Sequence, residues 1–403
     1  MNSYNKQRLK MKSLPIWLVA LMLCLVACEE EALLGLRPQD DVAPKAPEVT
    51  EVKNLNGAAV IYYKVPTEAD LLNVIASYEI NGKMYEARAT AFSDSLKVEG
   101  FGNAGEYQVQ LLSEDKSKNK SEPVEVTIHP KEPPVQLVFK TLDVLAAFGG
   151  IKLTWENLAE SNIIVGISYK DSIGDWVNIE NVYSSAKEGK ATIRGLDTTP
   201  RDFNVVVRDR WDNYSDSLQV NRTPMFEEEL DKSKFREVTP LPNDFGDKLY
   251  GGYPVRNIWD GNTVSGACVG KDVKGMFVTF DLGVVAKLSR YKIWQRTEID
   301  PWLYSHSNLK YWKVYGCTEI TAEMRKSGST EGWTLIEDAK SYKPSGEGPV
   351  TNEDKEYILN GDEHEIDIEA PAVRYIRIQA ILNWADDFDM EIGEMAFWGK
   401  VEE

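Results

Sequence analysis

The sequence predicts an all-β protein built as three consecutive sandwiches. Short runs that alternate apolar and polar residues recur along the chain, among them "AAVIYYKV", "GEYQVQLLSED" and "GMFVTFDLG", and a period of two marks a half-buried strand. Turn signals break these runs at short spacing. The clearest is Asn81-Gly82 between two alternating segments, the strongest short-range hairpin signal. Neither of the first two modules contains a helical stretch, and 403 residues with 42% hydrophobic content suit two to four well-packed domains.

The chain opens on Lys6, Arg8, Lys10 and Lys12, followed by an apolar run from Leu14 to Ala27. That run is shorter than the roughly 20 residues a bilayer core demands, so residues 1–27 read as a secretory signal peptide. Leu25-Val26-Ala27-Cys28 resembles the lipobox of bacterial lipoproteins. The resemblance implies acylation of Cys28 and attachment to outer-membrane lipid; the alternative is a cleaved signal followed by an ordinary thiol. Several acyl chains are needed for durable anchoring. Glu29, Glu30 and Glu31 resemble the acidic tag of Bacteroidetes lipoproteins displayed outside the cell. Residues 28–46 are acidic, contain Pro38 and Pro44, and read as a tether.

Residues 47–130 form the first expected sandwich. Here "GFGNAG" fits G-x-G-x-x-G through Gly100, Gly102 and Gly105. A dinucleotide fingerprint follows a strand and opens a helix, whereas this one precedes strand-like "EYQVQLL", so it reads as a loop. Proline-rich "HPKEPPVQ" marks a joint, and residues 131–224 repeat the plan with "GGIKLTWENL", "IIVGISYKD" and "RDFNVVVRDRWDNYSD". The last of these occupies the place of "YQVQLLSEDKSKNKS" in the first module, a weak internal repeat. Both modules resemble immunoglobulin/fibronectin type III sandwiches.

Residues 225–403 are denser in aromatics. "GMFVTFDLG" places Met276, Val278, Phe280 and Leu282 on one face, and the strands after it suggest an antiparallel sandwich or jelly roll. "NIWDGN", "VTFDLG…LSRYKIW", "LKYWKVYG", "VRYIRIQ" and "IGEMAFWG" resemble the discoidin, or factor five/eight type C, domain, a galactose-binding-like fold. The full layout resembles Bacteroidetes surface lipoproteins of glycan-utilisation loci that combine domains of unknown function 4959, 5126 and 5000.

The formal charge is −18, and removing the four positive charges of residues 1–27 takes it to −22. Such acidity excludes a nucleic-acid binder, which needs clustered Lys and Arg. Cys268 and Cys317 stay with the mature chain, paired or free, and His129, His306 and His364 are too scattered for a zinc site. No Ser-His-Asp order, G-x-S-x-G or HExxH occurs. A glycosidase needs two carboxyls about 5–10 Å apart in a cleft, and small convex modules supply none, so the chain is expected to be non-catalytic.

Sugar recognition needs a flat ring for pyranose C–H groups and fixed polar groups for hydroxyls. The loop "WQRTEIDPWLYSHSN" supplies Arg296, Trp302, Tyr304 and His306, and Trp384 in "NWADDFDME" is a second aromatic candidate. Family 32 carbohydrate-binding modules, which share the resembled fold, use loop aromatics with His and Arg. A ring covered on one face gains about 2–3 kcal/mol gross against an association cost of about 4–15 kcal/mol. Affinity for single sugars is therefore weak, and a poly- or oligosaccharide is the expected partner. The resemblance also places a structural calcium at Asp260, Asn262, Ser265 and Glu394; calcium takes six to eight oxygens, and family members usually have threonine where this chain has Ser265. "DSL", "DSI" and "DSL" resemble the Bacteroidetes O-glycosylation motif, with Ser95, Ser172 and Ser217 as acceptors. The alternative to direct glycan binding is a structural subunit that docks on an outer-membrane glycan transporter complex.

Overall fold

The computed structural model describes residues 40–264 and 267–402. Cys28, the signal and most of the expected tether lie outside them, as does Ser265. The described chain is all-β and divides into two compact units, with the boundary along the chain between Pro133 and Pro134. Among the described residues no helix is long and apolar enough to cross a membrane.

The first unit contains β1 (Glu48–Leu55), β2 (Ala58–Lys64), β3 (Leu71–Ile80), β4 (Lys83–Thr90), β5 (Ser95–Glu99), β6 (Tyr107–Asp115) and β7 (Val124–Ile128). They pair antiparallel as β1-β2-β5 and β4-β3-β6-β7. The period-two pattern buries Ala59, Ile61 and Tyr63 of β2 and Val109 and Leu111 of β6. Asn81 and Gly82 take φ of 49° and 75°, which the tight hairpin turn requires at both central positions, and Ile80 faces Lys83 across it. Gly100 to Gly105 link β5 to β6, with Phe101 in the core, so the glycine motif is a loop before a strand. The end of the expected tether departs from a free chain. Pro44 is buried, and Asn119 Nδ2 donates to the Asp40 carbonyl at 2.8 Å, which lays this segment along the first sandwich.

The second unit starts with a helix, Pro134–Thr141, where the sequence reading had only a proline joint. Proline is preorganised for the first helical position, and Val135 and Val138, three apart, both enter the core. Eight residues are too few for that spacing to register as a period. Then come β8 (Asp143–Ala147), β9 (Gly150–Glu156), β10 (Ile163–Lys170), β11 (Trp176–Ser184), β12 (Glu188–Ile193), β13 (Arg201–Arg208) and β14 (Tyr214–Arg222). Their orders, β12-β9-β8 and β11-β10-β13-β14, match the three-plus-four plan of the first module. The repeat extends to single hydrogen bonds. Asp115 Oδ1 accepts Asn119 N at 2.9 Å and Ser121 Oγ accepts Ser113 N at 3.0 Å; Asp209 does the same for Asn213 at 3.1 Å and Ser215 for Val207 at 2.9 Å.

The third domain contains β15 (Glu228–Glu229), β16 (Arg236–Glu237), β17 (Cys268–Gly270), β18 (Phe277–Trp294), β19 (Leu309–Cys317), β20 (Thr334–Lys340), β21 (Asp362–Glu365), β22 (Val373–Asn383), β23 (Met390–Ile392) and β24 (Glu394–Val401). The main sheet runs β15-β24-β18-β22-β19-β20, with β16 and β21 also on β18; β17 pairs with β23. Met276, Val278, Phe280 and Leu282 were expected to share one face; Met276 is half-buried just before β18, the other three are buried within it, and Phe277, Thr279 and Asp281 between them are buried too. The second face is covered because its polar groups find partners. Thr279 donates to Asp244 at 3.1 Å, and Asp281 takes two hydrogen bonds of 2.9 Å from Arg374. Wholly buried Arg377 donates through its two terminal nitrogens to Asp244 at 3.0 Å and the Ser329 carbonyl at 2.8 Å.

Arg194, just beyond β12, joins the second sandwich to the third domain. Its guanidinium reaches Glu227 at 3.0 Å and Glu365 at 2.9 Å, while Arg290 holds Glu227 and Glu363. Cys268 and Cys317 are both free thiols, and burial pushes both up, Cys317 to about 12.

Candidate ligand-binding site

The loop between β18 and β19 is pinned by two amides. Gln295, 1% exposed, donates to the Leu309 carbonyl at 2.9 Å and closes the loop base. Asn308, 2% exposed, donates to the carbonyls of Arg296 at 3.0 Å and Trp302 at 2.8 Å and accepts Arg296 N at 3.1 Å. One buried side chain thus fixes the backbone of both Arg296 and Trp302. Tyr304 and His306 have φ of 49° and 51°, a left-handed conformation uncommon outside glycine and typical of loops held in place by their surroundings.

The loop forms one wall of a cleft of about 270 Å³. Arg296, Trp302 and His306 meet there with Tyr250, Tyr253, Lys271, Asn308, Asp389 and Glu391. The Arg296 guanidinium lies 3.6 Å from the centre of the Trp302 ring and pairs with Glu298 at 2.7 Å and Glu391 at 3.2 Å. Burial raises the Glu391 carboxyl from its ordinary range, partly offset by Arg296. Tyr250, half exposed, stands 5.9 Å from Tyr253, with Lys271 Nζ 4.4 Å from its ring. The cleft therefore offers aromatic faces beside fixed donors and acceptors of both signs, the inventory a polyhydroxylated ligand needs.

Tyr304 and Trp384 are placed differently from the sequence expectation. Tyr304 is 8% exposed, and its hydroxyl donates to the Tyr342 carbonyl at 3.1 Å and the Asp354 carbonyl at 3.3 Å. Trp384 meets it edge-on at 5.3 Å in a small cluster with Leu303 and Ile358. Both rings support the loop from behind and do not line the cleft, because a loop this long needs its own apolar anchor. Sequence reasoning missed Tyr250, Tyr253, Lys271, Asn308, Asp389 and Glu391, which lie on separate segments. Only "YGGYP", two aromatics around glycines, carried a local signal.

Of the expected calcium ligands, Asp260, Asn262 and Glu394 lie among the described residues, and each is engaged within the protein. Glu394 is 0% exposed, but its Oε1 is 2.6 Å from Lys232 Nζ and its Oε2 accepts Gly261 N at 2.8 Å. Asp260 Oδ1 is used by Asn262 N at 2.8 Å, and Ser265 lies outside the described residues. An ammonium already supplies the positive charge that the buried carboxylate requires, so Glu394 as placed does not fit an additional divalent ion. Burial raises the Glu394 carboxyl, and Lys232 lowers it.

Of the expected O-glycosylation acceptors, Ser172 sits in the exposed turn between β10 and β11, and Ser217 is exposed on β14, bonded to Asn204. Ser95 is half-buried at the start of β5.

Three family models match the chain in order: domains of unknown function 4959 at residues 44–130, 5126 at 131–233 and 5000 at 257–399. No curated protein matches it. Two solved structures resemble parts of it: the paired fibronectin type III domains of chicken tenascin (17% identity, 45% of this chain, 99% of that one, TM-score 0.22) and a carbohydrate-binding module, CBM32-2 of a GH31 protein, bound to GalNAc (14%, 37%, 90%, 0.25). Both are too distant to bear on function. A SusE-like protein of solved structure is 30% identical over 67% of this chain and 100% of its own, with a TM-score of 0.43. With that identity spanning the whole relative, and the three domains in the order the sequence led one to expect, the chain belongs to the SusE-like proteins.

Proposed function

We propose that this chain is a non-catalytic, lipid-anchored protein of the outer cell surface that holds a poly- or oligosaccharide in the Trp302 cleft and so assists its capture. The observation that carries this reading is the conjunction of Trp302, Tyr250 and Tyr253 with Arg296, Lys271, Asp389 and Glu391 around one shallow space. Apolar rings serve the C–H faces of a sugar, and prearranged charged groups serve its hydroxyls at little reorganisation cost. Membership of the SusE-like proteins supports the association with carbohydrate, and the lipobox-like sequence ending at Cys28 supports the anchor.

Trp302→Ala is expected to abolish retention of the mature protein in gels containing its polysaccharide, with unchanged melting. Undiminished retention would refute the assignment of the cleft. Globomycin treatment, which blocks lipoprotein signal peptidase, together with mass spectrometry of the N-terminus, tests the acyl chains on Cys28. A docking role on a transporter has one observation in its favour. Ile173, Trp176 and Tyr183, on the β10–β11 hairpin with β11 at its sheet edge, are 81%, 42% and 72% exposed. Loss of transporter co-purification in an Ile173→Asp/Trp176→Asp protein that still binds glycan would establish that second role.

A further inference from the structure

A second cleft lies where the second sandwich meets the third domain. It holds about 470 Å³ and is lined by Lys190 and Thr192 of β12 and by Lys340, Tyr342, Tyr357 and Asp362 of the third domain, among others. Small-ligand sites occupy about 300–1,000 Å³ and favour domain joints. Both walls are fixed in advance. The Arg194 ion pairs to Glu227 and Glu365 tie the two domains together beside the cleft, and Arg290 holds Glu227 and Glu363 on the third-domain side.

The floor is equally ordered. His364, 7% exposed, places Nδ1 2.8 Å from Glu337 and Nε2 3.5 Å from Asp362, and its ring stacks on Tyr291 at 5.0 Å. Asp362 also accepts the Tyr357 hydroxyl at 2.7 Å and the Tyr342 backbone N–H at 3.0 Å. Above this floor the Tyr342 ring is 56% exposed and is met edge-on by Tyr357 at 5.0 Å. An exposed ring buttressed by a second ring, on a backbone held by a buried carboxylate, is a rigid platform.

The lining chemistry selects the ligand. Lysines 190 and 340 and His364 are offset by Glu337, Asp362, Glu363 and Glu365, so the cleft favours neither a phosphate nor a cation. Its only aliphatic lining is Ala191, too little for an apolar side chain or acyl group. We infer that this interdomain cleft is a second sugar subsite, in which a neutral pyranose stacks on Tyr342 while Lys190 and Lys340 donate to its hydroxyls. The inference deepens the proposed function and rests on it for the class of ligand. The two subsites share a support: Tyr304, in the Trp302 loop, donates its hydroxyl to the Tyr342 carbonyl. A polysaccharide bound at both gains affinity through effective concentration without any new contact.

The test is affinity electrophoresis of the full mature chain in gels containing starch, galactan, mannan or xyloglucan, with melting temperature as the fold control. On whichever polymer retards the parent, Tyr342→Ala is expected to weaken retention at least threefold, with rescue by Tyr342→Phe. Lys190→Ala, on the opposite wall and exposed, is expected to weaken it by a smaller factor even where Tyr342→Ala fails to fold. If Trp302→Ala removes retention while the Tyr342 and Lys190 variants match the parent, the second subsite is overturned and the proposed function stands. If Trp302→Ala is silent and the interdomain variants lose binding, the subsite stands and the Trp302 assignment falls. No retention of the parent by any of the four polymers overturns both.

Discussion

Lys232→Met is the most decisive perturbation of the third domain. Glu394 is wholly buried, and its charge is matched by one ammonium at 2.6 Å and one backbone N–H at 2.8 Å. Removing one partner of a buried pair strands the other and costs about 3–5 kcal/mol. Lys232 keeps a quarter of its side chain exposed, so water softens the loss and the low end, about 3 kcal/mol, applies. For a unit of this size each kcal/mol moves the midpoint by about 2–4 °C, so the transition is expected to fall by about 6–12 °C. Differential scanning calorimetry of the mature chain at neutral pH measures this. Lys232→Met/Glu394→Gln, which removes both charges, is expected to recover most of the loss, since replacing a buried pair together is close to neutral. EDTA is expected to leave the parent unchanged. A parent transition that falls in EDTA, or a Lys232→Met protein as stable as the parent, would refute the reasoning that an internal lysine stands where the resembled fold holds calcium.

Other expectations follow from the same kind of reading. Burial lowers the His364 imidazole, but Asp362 and Glu337 outweigh it and push the group from 6.5 up to about 9. A raised folded-state value means that its stabilisation is complete below about 6.5 and is lost as pH rises towards about 9, a change of about 3 kcal/mol. Urea titrations across that window should show this slope, and His364→Gln should flatten it. Gly189→Ala would place a Cβ 2.0 Å from the Trp155 indole inside the second sandwich; overpacking of this kind costs about 1–3 kcal/mol, visible as a lower urea midpoint. Asn308→Ala removes three hydrogen bonds at the base of the cleft. It should destabilise by about 2–3 kcal/mol and weaken glycan retention although Asn308 is almost wholly buried.

How much could be read without coordinates varied by residue. That Arg296, Trp302 and His306 come together at one cleft was legible because one loop carries all three. Tyr304 and Trp384 were read with them, since sequence gives residue type but not the direction a side chain takes. The Tyr304 hydroxyl is held by the backbone of Tyr342 and Asp354, 38 and 50 positions away, which keeps that ring inward, and no local pattern announces it. Helix Pro134–Thr141 was missed because two apolar residues three apart do not make a period. Lys232 was invisible as the partner of Glu394 because 162 positions separate them.

The sequence by itself determined the all-β class, the repeated sandwich plan and the dense aromatic third domain, because strand periodicity and turn chemistry are local and each residue votes on them independently. Tertiary structure alone decided which rings line the Trp302 cleft, which cation neutralises Glu394, and that Arg194 joins β12 to Glu227 and Glu365 to leave a cleft at the joint. Those outcomes depend on distances between segments remote in the chain. Burial and electrostatic pairing are set by those distances, and local sequence does not encode them.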